Sequence, residues 1–515
     1  MSGAELNPAD APGVRASPPR AAAAAVGSES VGTGLRGKVV RGVGWNLLGQ
    51  IFTQISTASA GVLLAHLLEP RDFGLAAMAL VFTAFAGVFT DLALGAALVQ
   101  RPSISESDRS TAFWTSLVAG LVLTSVVVGL APTIAGFFSQ PSATPLFAAT
   151  AALFMLSSLS VTQSALLTRE MNFKDLSIRG MVATLAGIAV AIPLAFAGAG
   201  AWTIVVQNLV AASISAVLLW RLSRWRPTFT YSLESLRTLG SFSSKTLVSQ
   251  FLGYLSLNVD NLLVGRYLGS GPLGFYSVSY NTMFLPVSRI SQPIQRVLFS
   301  ALAKLQHEPV RLREAWARGN QVISAVNVPA FLGMAVVAPD FVPVVLGQRW
   351  DAAVPVLQLL SVAGVATTLQ TLNWSTVQAA GRPEVMLRLR LFSVPLTIAA
   401  FAVGLRWGVV GVAGLFAVAR FIVLPVSAAV TCRTLGCSLA WALRGEAVVA
   451  ALSVVMAASV YLVRIGLVDL HVSAATRLGL VVALGIAVYA GLTARLAPVL
   501  VSELRSLGRS VRSPR

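Results

Sequence analysis

Four basic side chains of this 515-residue chain lie inside stretches that are otherwise apolar: Lys245, Arg289, Arg296 and Arg420. Two acids, Asp91 and Asp260, lie in similar surroundings. An ionisable group at the centre of a bilayer costs about 2.5–3.5 kcal/mol or more, so each is expected to face a wet cavity or a partner. Arg289 and Arg296 are two helical turns apart on one face. Lys245 and Arg296 also sit near enough to a span end to snorkel, which leaves Arg289 and Arg420 as the stronger cavity residues. With more basic groups than acids, the interior carries net positive charge and suits an anionic guest. Guanidinium forks match phosphate oxygens. Asp91 and Asp260 would supply charge balance or ion coupling, and Asp260 has the alternative of neutralising Lys245 or a neighbouring arginine.

Uncharged polar side chains form stripes beside these charges. Asn46, Gln50, Thr53, Gln54 and Thr57 follow helical spacing along one face, as do Ser243, Thr246, Gln250, Tyr254 and Asn261. Such groups either hydrogen-bond neighbouring helices or line a cavity and meet a polar guest, and both readings stand at this level. Asn46, Gln50, Gln54, Gln250 and Asn261 are the candidates for hydrogen bonds to a hydroxyl-rich guest. No residue pattern points to covalent catalysis. The three histidines, His66, His307 and His471, are scattered, and Cys432 and Cys437 have no nearby His ligands and read as free thiols. No nucleotide-binding loop is present, so neither a cofactor nor a metal is expected.

The elements that carry these residues are about fourteen apolar stretches, each near the roughly 20 residues a spanning helix needs. They lie near 43–66, 74–99, 111–131, 145–167, 178–198, 201–220, 241–265, 275–300, 319–338, 354–378, 386–404, 410–431, 446–464 and 476–498. A chain that is 56% hydrophobic and only 11% charged, with mean hydropathy +0.77, is an all-α polytopic membrane protein by composition. A net charge of +18 would suggest nucleic acid in a soluble protein. Here single basic residues flank span ends instead, and no nucleic-acid partner is expected. With the N-terminus in the cytoplasm, roughly 28 basic residues fall on inner segments against about six on outer ones, and the alternation never breaks. Both termini are therefore expected in the cytoplasm. Residues 1–41, rich in Ala, Pro, Gly and Ser, read as a disordered N-terminus, and 499–515 as a basic cytoplasmic tail.

Setting residue n against n+200 exposes a duplication. Gln50 falls on Gln250, Leu68 on Leu268 and Gly74 on Gly274, with the outer turns EPRDFG and GSGPLG in register. Chance similarity between apolar segments is the alternative reading. Taken as a repeat, the pattern predicts a six-helix bundle over 42–220, a cytoplasmic linker at 221–240, a second bundle over 241–432, and two further helices within 433–498. Paired bundles of this kind hold substrate at their interface and alternate its access.

The segments LLEPRDFGLAAMA at 67–79, ALLTREMNFKDLSIRG at 165–180 and NVDNLLVGRYLGSGPLGFYSVSYN at 258–281 carry a family resemblance. In their order and spacing the chain resembles a lipid-linked oligosaccharide flippase of the MOP superfamily, in the polysaccharide transporter branch. The resemblance covers nearly all of the spanning region. It implies two bundles in a V, a cationic central cavity, and movement of an undecaprenyl-pyrophosphate-linked oligosaccharide across the bacterial cytoplasmic membrane. It also implies membrane lipids, a polymerase and glycosyltransferases of the same pathway as partners, and a groove for the lipid tail on the last two helices. Within that frame Arg289 and Arg420 would meet pyrophosphate. A multidrug cation antiporter shares the two-bundle plan but has about twelve helices and an acidic cavity. A membrane glycan polymerase would need carboxylates on a sizeable outer loop, and the outer breaks are short and poor in acids.

Overall fold

The computed structural model describes residues 22–91, 94–101, 103–237, 258–287 and 292–498. Among these residues the regular elements are helices, with no strand. The first bundle comprises α1 (Ala22–Leu67), α2 (Pro70–Asp91), α3 (Glu106–Phe137), α4 (Ala152–Arg169, entered through Thr144–Thr150), α5 (Phe173–Phe196) and α6 (Trp202–Leu222). The second comprises α7, described over 258–268, α8 (Ser270–Pro286, resuming as Gln292–Lys304), α9 (Pro309–Phe341), α10 (Val354–Ala379), α11 (Pro383–Gly404) and α12 (Gly408–Leu435). Two more helices follow, α13 (Leu439–Asp469) and α14 (Ala474–Leu496). Ten segments of the described chain are long and apolar enough to cross a membrane, and one of them, 384–435, contains both α11 and α12. The chain is thus an all-α membrane protein of two six-helix bundles and two C-terminal helices.

One boundary differs from the sequence expectation. Helix α1 begins at Ala22, inside the segment expected to be disordered, where a run of alanines has high helix propensity.

Helix ends follow ordinary capping chemistry. Ser105 and Asp108 form a reciprocal capping box at the start of α3, and Ser438 and Ser473 cap α13 and α14. The turns after α4 and α10, on the side the basic bias assigns to the cytoplasm and termed inner here, both need a left-handed residue, supplied by Met171 at φ 56° and Gly381 at φ 73°. Beyond α6 the chain runs back along the inner end of α3. There Thr228 Oγ1 lies 2.8 Å from Ser110 Oγ, Trp114 Nε1 donates to Thr228 O at 2.8 Å, and Trp225 Nε1 donates to Glu106 Oε1 at 2.6 Å.

The cores are distributed unevenly along the membrane normal. One cluster draws on both bundles: Ala65, Met78 and Phe138 from the first pack with Leu273, Tyr276 and Trp350 from the second. All come from the outer parts of their helices. Towards the opposite, inner ends each bundle has its own core. Leu94, Leu98, Ala112 and Ala165 serve the first; Leu302, Leu312, Trp316 and Leu372 serve the second. Between spanning helices it is close packing, not transfer from water, that holds such apolar surfaces together. The bundles therefore cohere outside and, among the described residues, hold no common core inside.

Candidate functional site

The outer closure is built on the repeat. Helices α2 and α8 start at Pro70 and Ser270 and pack side by side along their outer halves. A Cβ on Gly74 would land on the carbonyl oxygen of Ser270, and one on Gly274 would land on the carbonyl oxygen of Pro70. The contact is reciprocal at an offset of 200 residues, the same offset that relates the two sequences. Only glycine lets two backbones approach this closely. Around this crossing, Trp350 donates Nε1–H to Ala65 O at 2.9 Å and meets Phe73 and Phe275 edge-on, at ring centroids of 5.1 and 5.9 Å. Arg266 reaches across to Ser139 Oγ at 2.9 Å and lies over the Phe137 ring at 5.4 Å.

Below this closure, a charged and aromatic cluster occupies the second bundle. Asp260 is buried at 3% exposure. Its Oδ2 accepts from Tyr276 Oη at 2.9 Å and its Oδ1 accepts from the Asn261 backbone N–H at 2.8 Å. Tyr276, Tyr280 and Phe284 stack in sequence down one face of α8, at 6.0 and 6.1 Å. Tyr280 leans on Phe416 of α12 at 6.5 Å, and the Arg420 guanidinium sits 4.7 Å from the Phe416 ring centroid. Gln370 of α10 donates to the Arg420 carbonyl at 2.6 Å. Arg420 is half-buried and its Nε has no hydrogen-bond partner. It lies about 18 Å along α12 from Gly408 at ~1.5 Å per residue, deep in a hydrocarbon layer of about 30 Å.

Arg420 has a local companion in Phe416, one turn earlier, whose ring face accepts the cation. Asp260 forms no ion pair within 4.0 Å among the described residues, and its expected partner Lys245 lies outside them. Its charge is met by hydrogen bonds, with Arg420 acting on it electrostatically from farther away. Asn261, also expected in the site, is half-buried and leaves Oδ1 without a partner.

The helix α1 stripe is partly consumed within its own helix. Gln50 Nε2 donates to Asn46 Oδ1 at 2.8 Å, Thr53 Oγ1 donates to Gly49 O at 2.9 Å and Thr57 Oγ1 to Thr53 O at 2.7 Å. Helix α1 packs on α5 through Gly49, whose missing side chain admits Ser177. Gln50 remains exposed, and Asn46 and Gln54 half-exposed. Arg289, Lys245 and Gln250 lie outside the described residues, as do the side chains of Arg296 and Asp91.

Sequence reading missed the most heavily ion-paired charge among the described residues. Asp340, fully buried near the outer end of α9, binds Arg464 of α13 through Nε at 2.5 Å and Arg477 of α14 through Nε at 2.8 Å and Nη2. This ion triad fastens the last two helices to the second bundle. A signal was present: Arg464 and Arg477 are two of the few basic residues on the side that the charge bias assigns to the outside, where basic residues are disfavoured.

Known proteins share both the sequence and the fold. The chain is 28% identical over 372 residues to the lipopolysaccharide biosynthesis protein WzxC of Escherichia coli (strain K12), covering 72% of this chain and 76% of that one. It is 27% identical over 334 residues to the succinoglycan biosynthesis transport protein ExoT of Rhizobium meliloti (strain 1021), covering 65% and 68%. Its fold matches the lipid II flippase MurJ in an inward closed conformation with a TM-score of 0.72 at 14% identity, over 88% of this chain and 100% of that one. Residues 63–355, more than half of the chain, match the polysaccharide biosynthesis protein family, and the chain belongs to that family.

Proposed function

We propose that this protein carries undecaprenyl-pyrophosphate-linked oligosaccharide repeat units across the cytoplasmic membrane by alternating access, for cell-surface polysaccharide assembly. Its relatives are named for lipopolysaccharide biosynthesis and succinoglycan transport, and its fold is that of a lipid II flippase. The observation that carries the reading is the uneven core: among the described residues, the bundles share apolar contacts outside and keep separate cores inside. A space that opens inward between two bundles admits a polar head from the cytoplasmic leaflet while its polyprenyl tail stays in lipid. Both termini lie in the cytoplasm in this reading, in keeping with the basic bias of the inner segments.

Arg420 is the described residue assigned to the pyrophosphate. It is a guanidinium deep in the membrane, with one face on Phe416 and a free Nε. Arg289, Arg296 and Lys245 would join it. Asn46, Gln50, Gln54, Gln250 and Asn261 would hydrogen-bond sugar hydroxyls. Asp260, held by Tyr276, would balance charge or couple an ion, and Asp91 would do the same from the first bundle. The carrier moves its substrate without chemistry on it. Polymerase and glycosyltransferases of the same pathway would work before and after it.

The test is transport in vesicles with purified protein and labelled lipid-linked oligosaccharide. Wild type should move the label between leaflets and return it chemically unchanged. R420A should abolish movement at normal protein abundance, and R420K should restore it only in part because the planar fork is lost. A lengthened or cleaved glycan would instead indicate a polymerase. Export of a lipophilic cation with no movement of the glycolipid would indicate a multidrug antiporter.

A further inference from the structure

Away from the site between the bundles, a cavity of about 360 Å³ opens between the inner ends of α11 and α12. Three arginines stand at its mouth, Arg382 and Arg388 from the start of α11 and Arg433 from the end of α12. Its walls are apolar, formed by Leu389, Phe392 and Val426 among others, and no carboxylate lines it. None of the three arginines forms an ion pair within 4.0 Å among the described residues, although Glu384 lies on the same turn of α11. Three like-charged, exposed guanidiniums at the rim of an apolar groove attract an anionic group that carries apolar chains.

We infer that this groove binds an anionic glycerophospholipid of the cytoplasmic leaflet, with Arg382, Arg388 and Arg433 on its phosphate and the acyl chains against Leu389, Phe392 and Val426. The level of the site carries the argument. The arginines sit where helices α11 and α12 leave the membrane, and the apolar walls rise from them into the hydrocarbon over about 10 Å at ~1.5 Å per residue. Basic pockets between spanning helices on the cytoplasmic side are the common means of holding such headgroups.

The face it occupies selects bulk lipid over transported substrate. On α12, Phe421, Ile422 and Val426 are exposed while Val423, Ser427 and Thr431 are buried in the bundle. The groove therefore lies on the outer flank of the second bundle. Leu391 on the α11 lip is exposed as well. Apolar surface on both lips suits a two-chain lipid rather than a single polyprenyl tail. The leaflet named here rests on the orientation proposed above; the binding itself does not, and it is independent of what the protein transports.

The experiment uses the full-length protein in phosphatidylcholine vesicles doped with phosphatidylglycerol that carries a diazirine in its acyl chain. Illumination should label peptides spanning 383–392 and 426–434. Unlabelled phosphatidylglycerol should compete and phosphatidylcholine should not. At ~1 kcal/mol for each arginine, R382Q/R388Q/R433Q should weaken apparent affinity on the order of 100-fold. The corresponding triple Arg→Lys variant should keep most of it. Labelling of the wild-type protein does not depend on any variant folding. Labelling spread evenly over all lipid-facing helices would overturn the proposal. So would equal competition by inorganic phosphate, which would make this a free-ion site. Competition by polyprenyl pyrophosphate at far lower concentration than by phosphatidylglycerol would make it a docking site for substrate and overturn the proposal as well.

Discussion

The two ends of this molecule are held together by different means. At the outer end, the bundles meet through one shared core, a glycine-to-carbonyl crossing, and a tryptophan that bonds across the interface. At the inner end, among the described residues, each bundle keeps its own core, and in the second Trp316 and Asn320 of α9 both donate to Asn373 Oδ1 of α10 at 3.1 and 3.4 Å. The difference separates two kinds of contact. On the proposed function, inner contacts would hold a bundle together in every state of the cycle. Outer contacts would exist only while the outside is closed and would be broken to release substrate there. Mutations at the two ends should therefore act on different quantities, one on stability and the other on the balance between states.

The largest effect should come from the crossing itself. G274A or G74A places a methyl on a backbone carbonyl of the other bundle, and no rotamer change relieves a clash with backbone. Each is expected to abolish export at normal membrane abundance. An impermeant thiol reagent should then reach cysteines introduced at Phe73 or Leu273 from outside. Lost protein, with no change in labelling, would mean the glycines serve folding instead.

Removing the buried acid should act on stability. D340N leaves Arg464 and Arg477 facing a neutral group in a buried position, and breaking such a pair costs about 3–5 kcal/mol. The melting temperature should drop, and proteolysis should release α13 and α14 before either bundle opens. Uniform unfolding without that early release would contradict the role of the triad as a fastening.

A pair of milder changes sharpens the contrast. L372A in the inner core of the second bundle should lower stability by about 2–5 kcal/mol while leaving outer labelling unchanged. W350F keeps the ring contacts to Phe73 and Phe275 and loses the bond to Ala65 O, worth about 1 kcal/mol. It should raise outer labelling about fivefold with little change in melting temperature. Equal effects of both on labelling would erase the distinction between the two ends.

Much of this architecture was legible in the sequence because its causes are local. Hydropathy marks each span, basic residues mark the inner ends, and the 200-residue offset already placed Gly74 on Gly274. That these glycines touch was not legible, since periodicity relates equivalent positions without saying which of them meet. The charged residues show the same limit. Arg420 and Asp260 stood out as ionisable groups in apolar surroundings, yet their partners, Phe416 and Tyr276, are ordinary membrane residues. Asp340 escaped notice because it sits at a span end, where an acid looks cheap; its burial follows only from two helices packing over it more than 120 residues later in the chain.

In alternating access the outer ends close while the inner ends open, and the reverse. Spin-label distances report both movements in a background with Cys432 and Cys437 replaced. One pair spans the outer interface at Ser139 and Tyr267. The other spans the inner side at Asn172 and Arg382, the equivalent turns of the two bundles. Substrate-free protein should show a short outer and a long inner distance, and adding lipid-linked oligosaccharide or introducing G274A should lengthen the first as it shortens the second. Distances that stay fixed, or that change in the same direction, would contradict alternating access built on this interface.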